Sequence, residues 1–135
     1  MSSRGNILVV DDDEAVRLML QEVLQRAGFQ ACAVESGRVA LKMLAALPFD
    51  LVVTDKNMAD IDGHTLINEV WMRFPTVGTV MMTGFRNPES EARAREQRVL
   101  AYLEKPIFDL RVVPELVEAA LIEQRRRMGG SWPGA

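Results

Sequence analysis

Five short apolar runs alternate along the chain with segments of helical periodicity, and no other feature restricts the possible folds so strongly. The runs predict strands over residues 6–10, 30–34, 50–54, 78–82 and 99–103. All except the second are nearly continuous in apolar residues, as is typical of strands that are buried on both faces. Strands and helices that alternate through short connections form parallel sheets with right-handed crossovers. The sequence therefore predicts a three-layer, doubly wound α/β domain around a five-stranded parallel sheet.

The spacing of apolar residues between these runs predicts five helices. The first covers residues 14–27, where apolar residues recur at helical intervals, and Gly28 follows as a helix-ending residue. Ser36 is a candidate N-cap for the second helix, which Pro48 ends. The other three helices are predicted over residues 64–74, 89–98 and 113–127. Five such units are compatible with strand order 2-1-3-4-5, in which the first and third strands are neighbours.

Three details of the later helices bear on packing and function. The helix over residues 89–98 has little apolar face, so we expect packing to hold it weakly. Pro114 would cost an internal hydrogen bond if the last helix began at residue 109, so an irregular turn is expected first. His64, at the start of the third helix, is predicted to be a surface residue without a chemical role.

Composition indicates the class of protein and excludes several functions. With 135 residues, 48% hydrophobic and 26% charged, the chain has the size and balance of one globular domain. A net charge of -3 provides no basic face for nucleic acid, and no apolar run reaches the ~18 residues that span a bilayer. Cys32 is the single cysteine and no leading signal sequence is evident, so we expect a cytoplasmic protein. Residues 1–127 are predicted to form the domain, and residues 128–135 a flexible tail or the start of a linker.

Charged residues follow three of the predicted strands, at the ends that meet along one edge of a parallel sheet. Asp11 and Asp12 follow the first strand, Asp55 the third and Lys105 the fifth. Neighbouring carboxylates take raised pKa values or bind a cation, and oxygen ligands without histidine or cysteine favour Mg²⁺ or Mn²⁺ over zinc. Two simpler interpretations stay open at this point. Residues 11–13 can be a solvated cap on the first helix, and Lys105 an ordinary surface lysine.

Additional residues make this pattern specific. The set, in chain order, is Asp11-Asp12, Asp55, Met58, Asp62-Gly63, Thr83-Gly84 and Lys105-Pro106. These residues resemble the receiver (phosphoacceptor) domain of two-component response regulators, over about residues 6–127. The resemblance implies the flavodoxin-like receiver fold. The loop after Asp55 departs from the family pattern, since Ala59 replaces a proline and Ile61 a methionine; the change frees the loop but removes no reacting group.

The resemblance assigns a role to each residue of the site. Asp55 is expected to accept a phosphoryl group from the phosphohistidine of a sensor histidine kinase or phosphotransfer protein. The expected Mg²⁺ ligands are Asp12, Asp55 and the backbone carbonyl of Asn57, with Asp11 holding the metal or its water. Lys105 would pair with Asp55 and then with a phosphoryl oxygen. The hydroxyl of Thr83 would donate to the phosphoryl group. Two residues of the set are structural: Gly84 leaves the phosphoryl group room, and Pro106 can follow a cis bond.

Other residues are expected to transmit or tune the signal. In the family, Thr83 moves toward the phosphoryl group and an aromatic residue in the fifth strand, here Tyr102, follows it inward. This movement would reshape the face formed by the fourth helix, fifth strand and fifth helix, which then controls an effector, a linked output domain or a homodimer. Asn57 and Phe85 occupy positions that tune access of water to the acyl phosphate.

Two other classes of function compete with a phosphorylated switch. A metal-dependent phosphohydrolase would also use an aspartyl nucleophile, but the Asp-x-Asp pair typical of one such class would need aspartate at Asn57. A receiver used only as a docking domain would not need the full set of acidic residues, threonine and lysine. The expected protein is therefore a signalling switch that catalyses only its own phosphorylation and hydrolysis, and acts on no separate substrate.

Overall fold

The computed structural model describes residues 4–84 and 87–129. The strands in this part of the chain are β1 (Asn6–Val10), β2 (Gln30–Val34), β3 (Leu51–Asp55), β4 (Gly78–Thr83) and β5 (Ala101–Glu104). The helices are α1 (Glu14–Arg26), α2 (Gly37–Ala46), α3 (Gly63–Arg73), α4 (Pro88–Glu96) and α5 (Val112–Arg127). All five strands are parallel and form one sheet in the order β2-β1-β3-β4-β5. The predicted fold class, strand order and five helices are confirmed.

Apolar side chains pack on both faces of the sheet. Successive residues of a strand point to opposite faces, and both Ile7 and Leu8 are fully buried. Ile7 belongs to a cluster with Leu20 of α1 and Val117 of α5, whereas Leu8 belongs to a cluster with Leu66 of α3. Burial on both sides explains why the central strands are nearly continuous in apolar residues.

Strand pairing continues past the apolar runs at two places. Asp55 pairs with Met82 in the ladder between β3 and β4, and Thr83 pairs with Glu104 in the ladder between β4 and β5. The predicted third, fourth and fifth strands ended one residue earlier, at residues 54, 82 and 103. Backbone pairing does not require apolar side chains, so hydrophobicity alone placed these ends too early. Asp55 and Thr83 are therefore held by the sheet and not by a loop.

The predicted start of β5 was two residues early. Instead of entering the sheet, the amide of Val99 donates to the carbonyl of Ala94 at 3.0 Å and closes the end of α4. Arg98, just before it, has a positive φ of 61°. The chain therefore leaves the helix before β5 begins at Ala101.

Local sequence signals account well for the helix ends. Gly28 has a positive φ of 97° directly after the C-cap of α1, and the Ser36 side chain accepts from the amide of Val39 at the start of α2. At α4, Asn87 caps the helix and Pro88 takes its first position, so it spans residues 88–96 and not 89–98. Pro114 lies in the first turn of α5, where its missing N–H has no helical partner to lose. None of the helices in the described ranges has the length and apolar composition needed to cross a bilayer.

The fourth helix has the weak apolar packing that its sequence predicts, but the prediction for His64 was wrong. Ala94 is the only residue of α4 that is buried, and the structure describes every residue of that helix. His64 was expected at the surface; its exposed fraction is 4%, because polar side chains of Ser90 and Gln97 enclose it between α3 and α4. Amphipathic spacing on α3 could not reveal these partners, since they come from another helix.

We expect Gly63→Ala to lower the free energy of unfolding by about 1–3 kcal/mol, the usual cost of overpacking. An added Cβ would lie 2.4 Å from the carbonyl oxygen of Asp55 and 2.9 Å from Cα of Lys56, and backbone atoms cannot rotate away. Urea unfolding followed by circular dichroism measures the change. Gly84→Ala is the matched control, since an added Cβ there meets no described atom within 4 Å. Equal stability of the two variants would contradict the prediction.

Candidate functional site

Three carboxylates meet at the carboxyl edge of the sheet. Asp11 follows β1 and Asp55 ends β3, and the two strands are parallel neighbours with Val10 opposite Thr54. One carboxylate oxygen from each of Asp11, Asp12 and Asp55 lies within 4.8 Å of the others. Asp11 is fully buried and Asp55 is 8% exposed, while Asp12 is exposed. The fold thus concentrates negative charge where solvent reaches it from one side.

The side chain of Lys105 lies against this acidic cluster. Its Nζ is 3.0 Å from Oδ2 of Asp11 and 3.6 Å from Oδ2 of Asp55. The amide of Lys105 donates to the Thr83 carbonyl at 2.9 Å, which anchors the lysine backbone beside the end of β4. Lys105 is therefore not an ordinary surface lysine, because its half-buried ammonium bridges carboxylates from two other strands.

Burial and mutual charge shift the ionisation of the cluster. The pKa of Asp55 is raised, first because burial penalises the carboxylate and then because Asp11 is nearby; Lys105 opposes part of this effect. Burial would lower the pKa of Lys105, but its hydrogen bond with Asp11 and the charge of Asp55 outweigh burial and raise it. The ammonium stays charged at neutral pH, and additional positive charge near Asp55 would favour its ionised form. A hard divalent cation on the carboxylate oxygens would supply that charge.

The three adjacent aspartates after β1 have different surroundings. The side chain of Asp13 accepts from the amides of Ala15 and Val16 and caps α1, as the simpler interpretation of residues 11–13 proposed. Asp11 instead points into the cluster, where its Oδ1 accepts from the amide of Asp13 at 2.9 Å. Only the last of the three aspartates is therefore the helix cap.

Arg17 supports the site and was missed from the sequence. Its guanidinium donates to the carbonyl of Asp11 at 2.9 Å and so holds the backbone at the end of β1. Arg17 lies in the second turn of α1, where an arginine is an ordinary helix residue. The sequence carries no signal that would have distinguished it.

The loop between β3 and α3 is fastened without the proline of the family pattern. Oδ1 of Asp60 accepts from the amide of Gly37 at 3.2 Å, and Oδ2 accepts from the amide of Arg38 at 2.9 Å. Burial would raise the pKa of Asp60, but backbone hydrogen bonds led by that of Arg38 lower it. The loop that carries exposed Asn57 and Ala59 is thus tied to the start of α2. Asp60 is a second residue that the sequence did not single out.

The other predicted site residues lie around the cluster. Thr83 ends β4 and is buried, and exposed Gly84 leaves open space beyond it. The bond between Lys105 and Pro106 is cis, as expected. Tyr102 is half-buried, and its hydroxyl donates to the carbonyl of Ser90 in α4 at 3.0 Å. Phe85 lies outside the described residues.

Comparisons with known proteins agree with this geometry. The family model for the response regulator receiver domain matches residues 7–118. The response regulator protein FleR of Pseudomonas aeruginosa is 36% identical over 113 residues, which are 84% of this chain and 24% of FleR. The DNA-binding transcriptional regulator NtrC of Escherichia coli K12 is 33% identical over 118 residues, 87% of this chain and 25% of NtrC. This chain therefore spans about a quarter of the length of these two relatives.

A solved structure has the same architecture. The signal receiver domain of an HD domain-containing protein from Pseudomonas fluorescens Pf-5 has a TM-score of 0.84 and 26% identity, and the match covers 96% of this chain and 95% of that one. The family model matches most of the chain, and it includes the acidic cluster and Lys105. The resemblance seen in the sequence is thereby confirmed, and the chain belongs to the response regulator receiver domain family.

Proposed function

We propose that this chain is a phosphorylation switch in which Asp55 is the phosphoacceptor. The observation that supports this most strongly is the ammonium of Lys105, which lies between Asp11 and Asp55 at distances of 3.0 and 3.6 Å. Phosphoryl transfer depends mainly on positioning and on neutralising charge. A carboxylate oxygen of Asp55 bonds to phosphorus while the bond from phosphorus to the donor histidine nitrogen breaks, which leaves an acyl phosphate. Lys105 is placed to neutralise the added negative charge.

A magnesium ion fits the residues of the acidic cluster. Asp11, Asp12 and Asp55 bring carboxylate oxygens within 4.8 Å of one another, and hard oxygen ligands suit Mg²⁺ or Mn²⁺. The backbone carbonyl of Asn57 would complete the protein ligands. When bound, the ion would offset the negative charge of the phosphoryl oxygens. Arg17 and Asp60 would hold the two loops that carry these ligands, through their bonds to the Asp11 carbonyl and to the start of α2.

Thr83 and Tyr102 are proposed to convert phosphorylation into a change of surface. Thr83 ends the strand next to Asp55, so its hydroxyl can donate to a phosphoryl oxygen. Tyr102 lies on the far side of β4 and already contacts α4 through Ser90. A shift of these two residues would alter the face formed by α4, β5 and α5. Asn57 and Phe85, two residues beyond Asp55 and Thr83, are proposed to set how readily water reaches the acyl phosphate.

The partners follow from this role. The donor would be a sensor histidine kinase or a phosphotransfer protein. Phe108, three residues after Lys105, is 90% exposed and gives a partner an aromatic contact close to the acceptor. FleR and NtrC are about four times as long as their matched region, so an output domain linked through residues 128–135 is proposed, with a separate effector or a homodimer as the other forms of output. No separate substrate, nucleic acid or membrane is assigned to residues 1–127, and the proposed location is the cytoplasm.

We expect incubation with Mg²⁺ and acetyl phosphate to add the mass of one phosphoryl group to the wild-type chain and none to Asp55→Asn, because the amide is a poor nucleophile. Intact-mass spectrometry measures the addition. Asp13→Asn is the matched control, since Asp13 caps α1 and is expected to leave labelling unchanged. Equal labelling of Asp55→Asn would place the acceptor elsewhere. Continuous turnover of a phosphate monoester would instead support a phosphohydrolase.

Magnesium at 100 times its dissociation constant is expected to raise the free energy of unfolding by about 2.7 kcal/mol, because the ion binds only the folded chain. At the same concentration the gain should be smaller in Asp12→Asn, which removes an exposed ligand without disturbing the core. Urea unfolding with and without Mg²⁺ measures both gains. Glu22→Gln, on the exposed side of α1, removes the same charge far from the cluster and should respond as the wild type does. Identical responses of all three proteins would remove Asp12 from the metal site.

A further inference from the structure

His64 makes three hydrogen bonds between α3 and α4. Its Nδ1 is 2.8 Å from Oε1 of Gln97, its Nε2 is 2.7 Å from Oγ of Ser90, and its carbonyl accepts from Nε2 of Gln97 at 2.9 Å. The last bond fixes the orientation of the Gln97 amide, since only the nitrogen can donate to a carbonyl. Oε1 therefore faces Nδ1 as an acceptor, and Nδ1 carries a hydrogen. The ring is therefore held at both nitrogens, and the residue is buried, with an exposed fraction of 4%.

These bonds replace the apolar contacts that α4 lacks. Ser90 and Ala94 lie on one side of α4 at positions i and i+4, and Gln97, the C-cap residue of the helix, follows on that side at i+7. Ala94 contributes only a methyl group to the buried side of this helix. Apolar contact tolerates sliding, whereas hydrogen bonds to an oriented ring require one position and one rotation. The position of α4 relative to α3 therefore depends strongly on His64.

The turn of α3 that contains His64 lies against the backbone of the phosphoacceptor through the preceding residue, Gly63. The Cα of Gly63 is so close to β3 that an added Cβ would lie 2.4 Å from the carbonyl oxygen of Asp55. The amide of Gly63 also donates to the carbonyl of Lys56 at 2.7 Å. A shift of the Asp55 backbone toward α3 would therefore press on the first turn of that helix, and His64 is part of the turn.

On the other side, Ser90 connects this turn to Tyr102. The Ser90 side chain contacts the ring of His64, and the Ser90 carbonyl accepts from the Tyr102 hydroxyl at 3.0 Å. A continuous series of contacts thus leads from Asp55 through Gly63 and His64 to the first turn of α4 and to β5. Packed and bonded elements of this kind can carry coupling between two sites.

We propose that His64 is a positioning residue that couples the backbone of Asp55 to α4. This inference rests on the proposed function, since it states how a change at Asp55 reaches the output face. His64 touches no reacting atom and is expected to leave the metal site unchanged. Its effect is to make α4 and Tyr102 respond together with the start of α3.

The test compares hydrogen exchange of the α4 amides before and after addition of Mg²⁺ and beryllofluoride, a phosphoryl mimic. His64→Leu keeps a side chain of moderate size and removes both ring nitrogens, and Gln97→Met removes the partner from the α4 side. We expect α4 amides to exchange about tenfold faster in both variants, the effect of losing one to two net hydrogen bonds. We also expect the beryllofluoride-induced change in α4 to be lost, while the dissociation constant for Mg²⁺ stays within about twofold of the wild-type value.

Controls separate coupling from general destabilisation. Asn68→Ala, on the exposed side of α3, should keep the wild-type response. A double variant that carries both Tyr102→Phe and Gln97→Met should increase the exchange of the α4 amides by less than the sum of the two single variants, because both substitutions release the same helix. If His64→Leu does not fold, Gln97→Met and Ser90→Ala decide the question from the α4 side.

The outcomes distinguish the two proposals. A wild-type chain that binds neither Mg²⁺ nor beryllofluoride would overturn the proposed function and this inference with it. Binding by the wild type, with the same α4 response in every variant, would overturn only the role of His64. The role of His64 would also be overturned if His64→Leu lost as much Mg²⁺ affinity as it lost protection of the α4 amides. The residue would then be a general structural support.

Discussion

The parallel pairing of β1 with β3 is the constraint on which the rest of the site depends. It places buried Asp11 beside Asp55, a pair of carboxylates that would repel each other without the nearby ammonium of Lys105. The backbone amide of Lys105 donates a hydrogen bond to the end of β4, and from this position the lysine side chain extends to the two carboxylates. Burial raises the cost of charge on Asp55, and this cost favours a bound cation. The chemistry of the site therefore follows from strand order.

Two loops at this edge are stabilised by residues that do no chemistry. Arg17 holds the carbonyl of Asp11, and Asp60 ties the loop after β3 to the start of α2. Ala59 takes the place of the usual proline in this loop. The contact of Asp60 with the start of α2 restricts the loop where that rigid residue is missing. A proline acts partly by limiting the unfolded chain, whereas Asp60 acts only in the folded one. The hydrogen bonds of Asp60 thus restrict this loop of the folded chain where the usual proline is absent.

The fourth helix, α4, is held by polar contacts more than by apolar ones. Hydrophobic spacing predicted a weakly packed helix, and Ala94 as its only buried residue confirms that prediction. His64 was predicted to lie at the surface, which was wrong, because Ser90 of α4 and the C-cap residue Gln97 contact its two ring nitrogens. A helix with few apolar contacts belongs to the weakly packed part of a structure, from which moving elements are drawn. That property suits a surface that responds to phosphorylation.

Residue patterns were sufficient to predict the fold class and the set of charged residues at the strand ends, because apolar periodicity and strand-end position are local properties. These patterns allowed the strand order 2-1-3-4-5 but did not single it out, since the order of strands depends on pairing between distant segments. The sequence also predicted the caps at Ser36 and Gly28, which depend on neighbouring residues only. Tertiary structure alone decided which of the three aspartates caps α1 and which face the cluster. It also decided that Arg17 and Asp60 support the site and that His64 is buried. The contacts of Asp60 with Gly37 and of His64 with Gln97 depend on partners distant in sequence, and such a partner leaves no periodic trace in the chain. Asp13 and Arg17 bond to residues near them in sequence, but hydrophobic spacing does not distinguish these residues from other polar residues at the start of a helix.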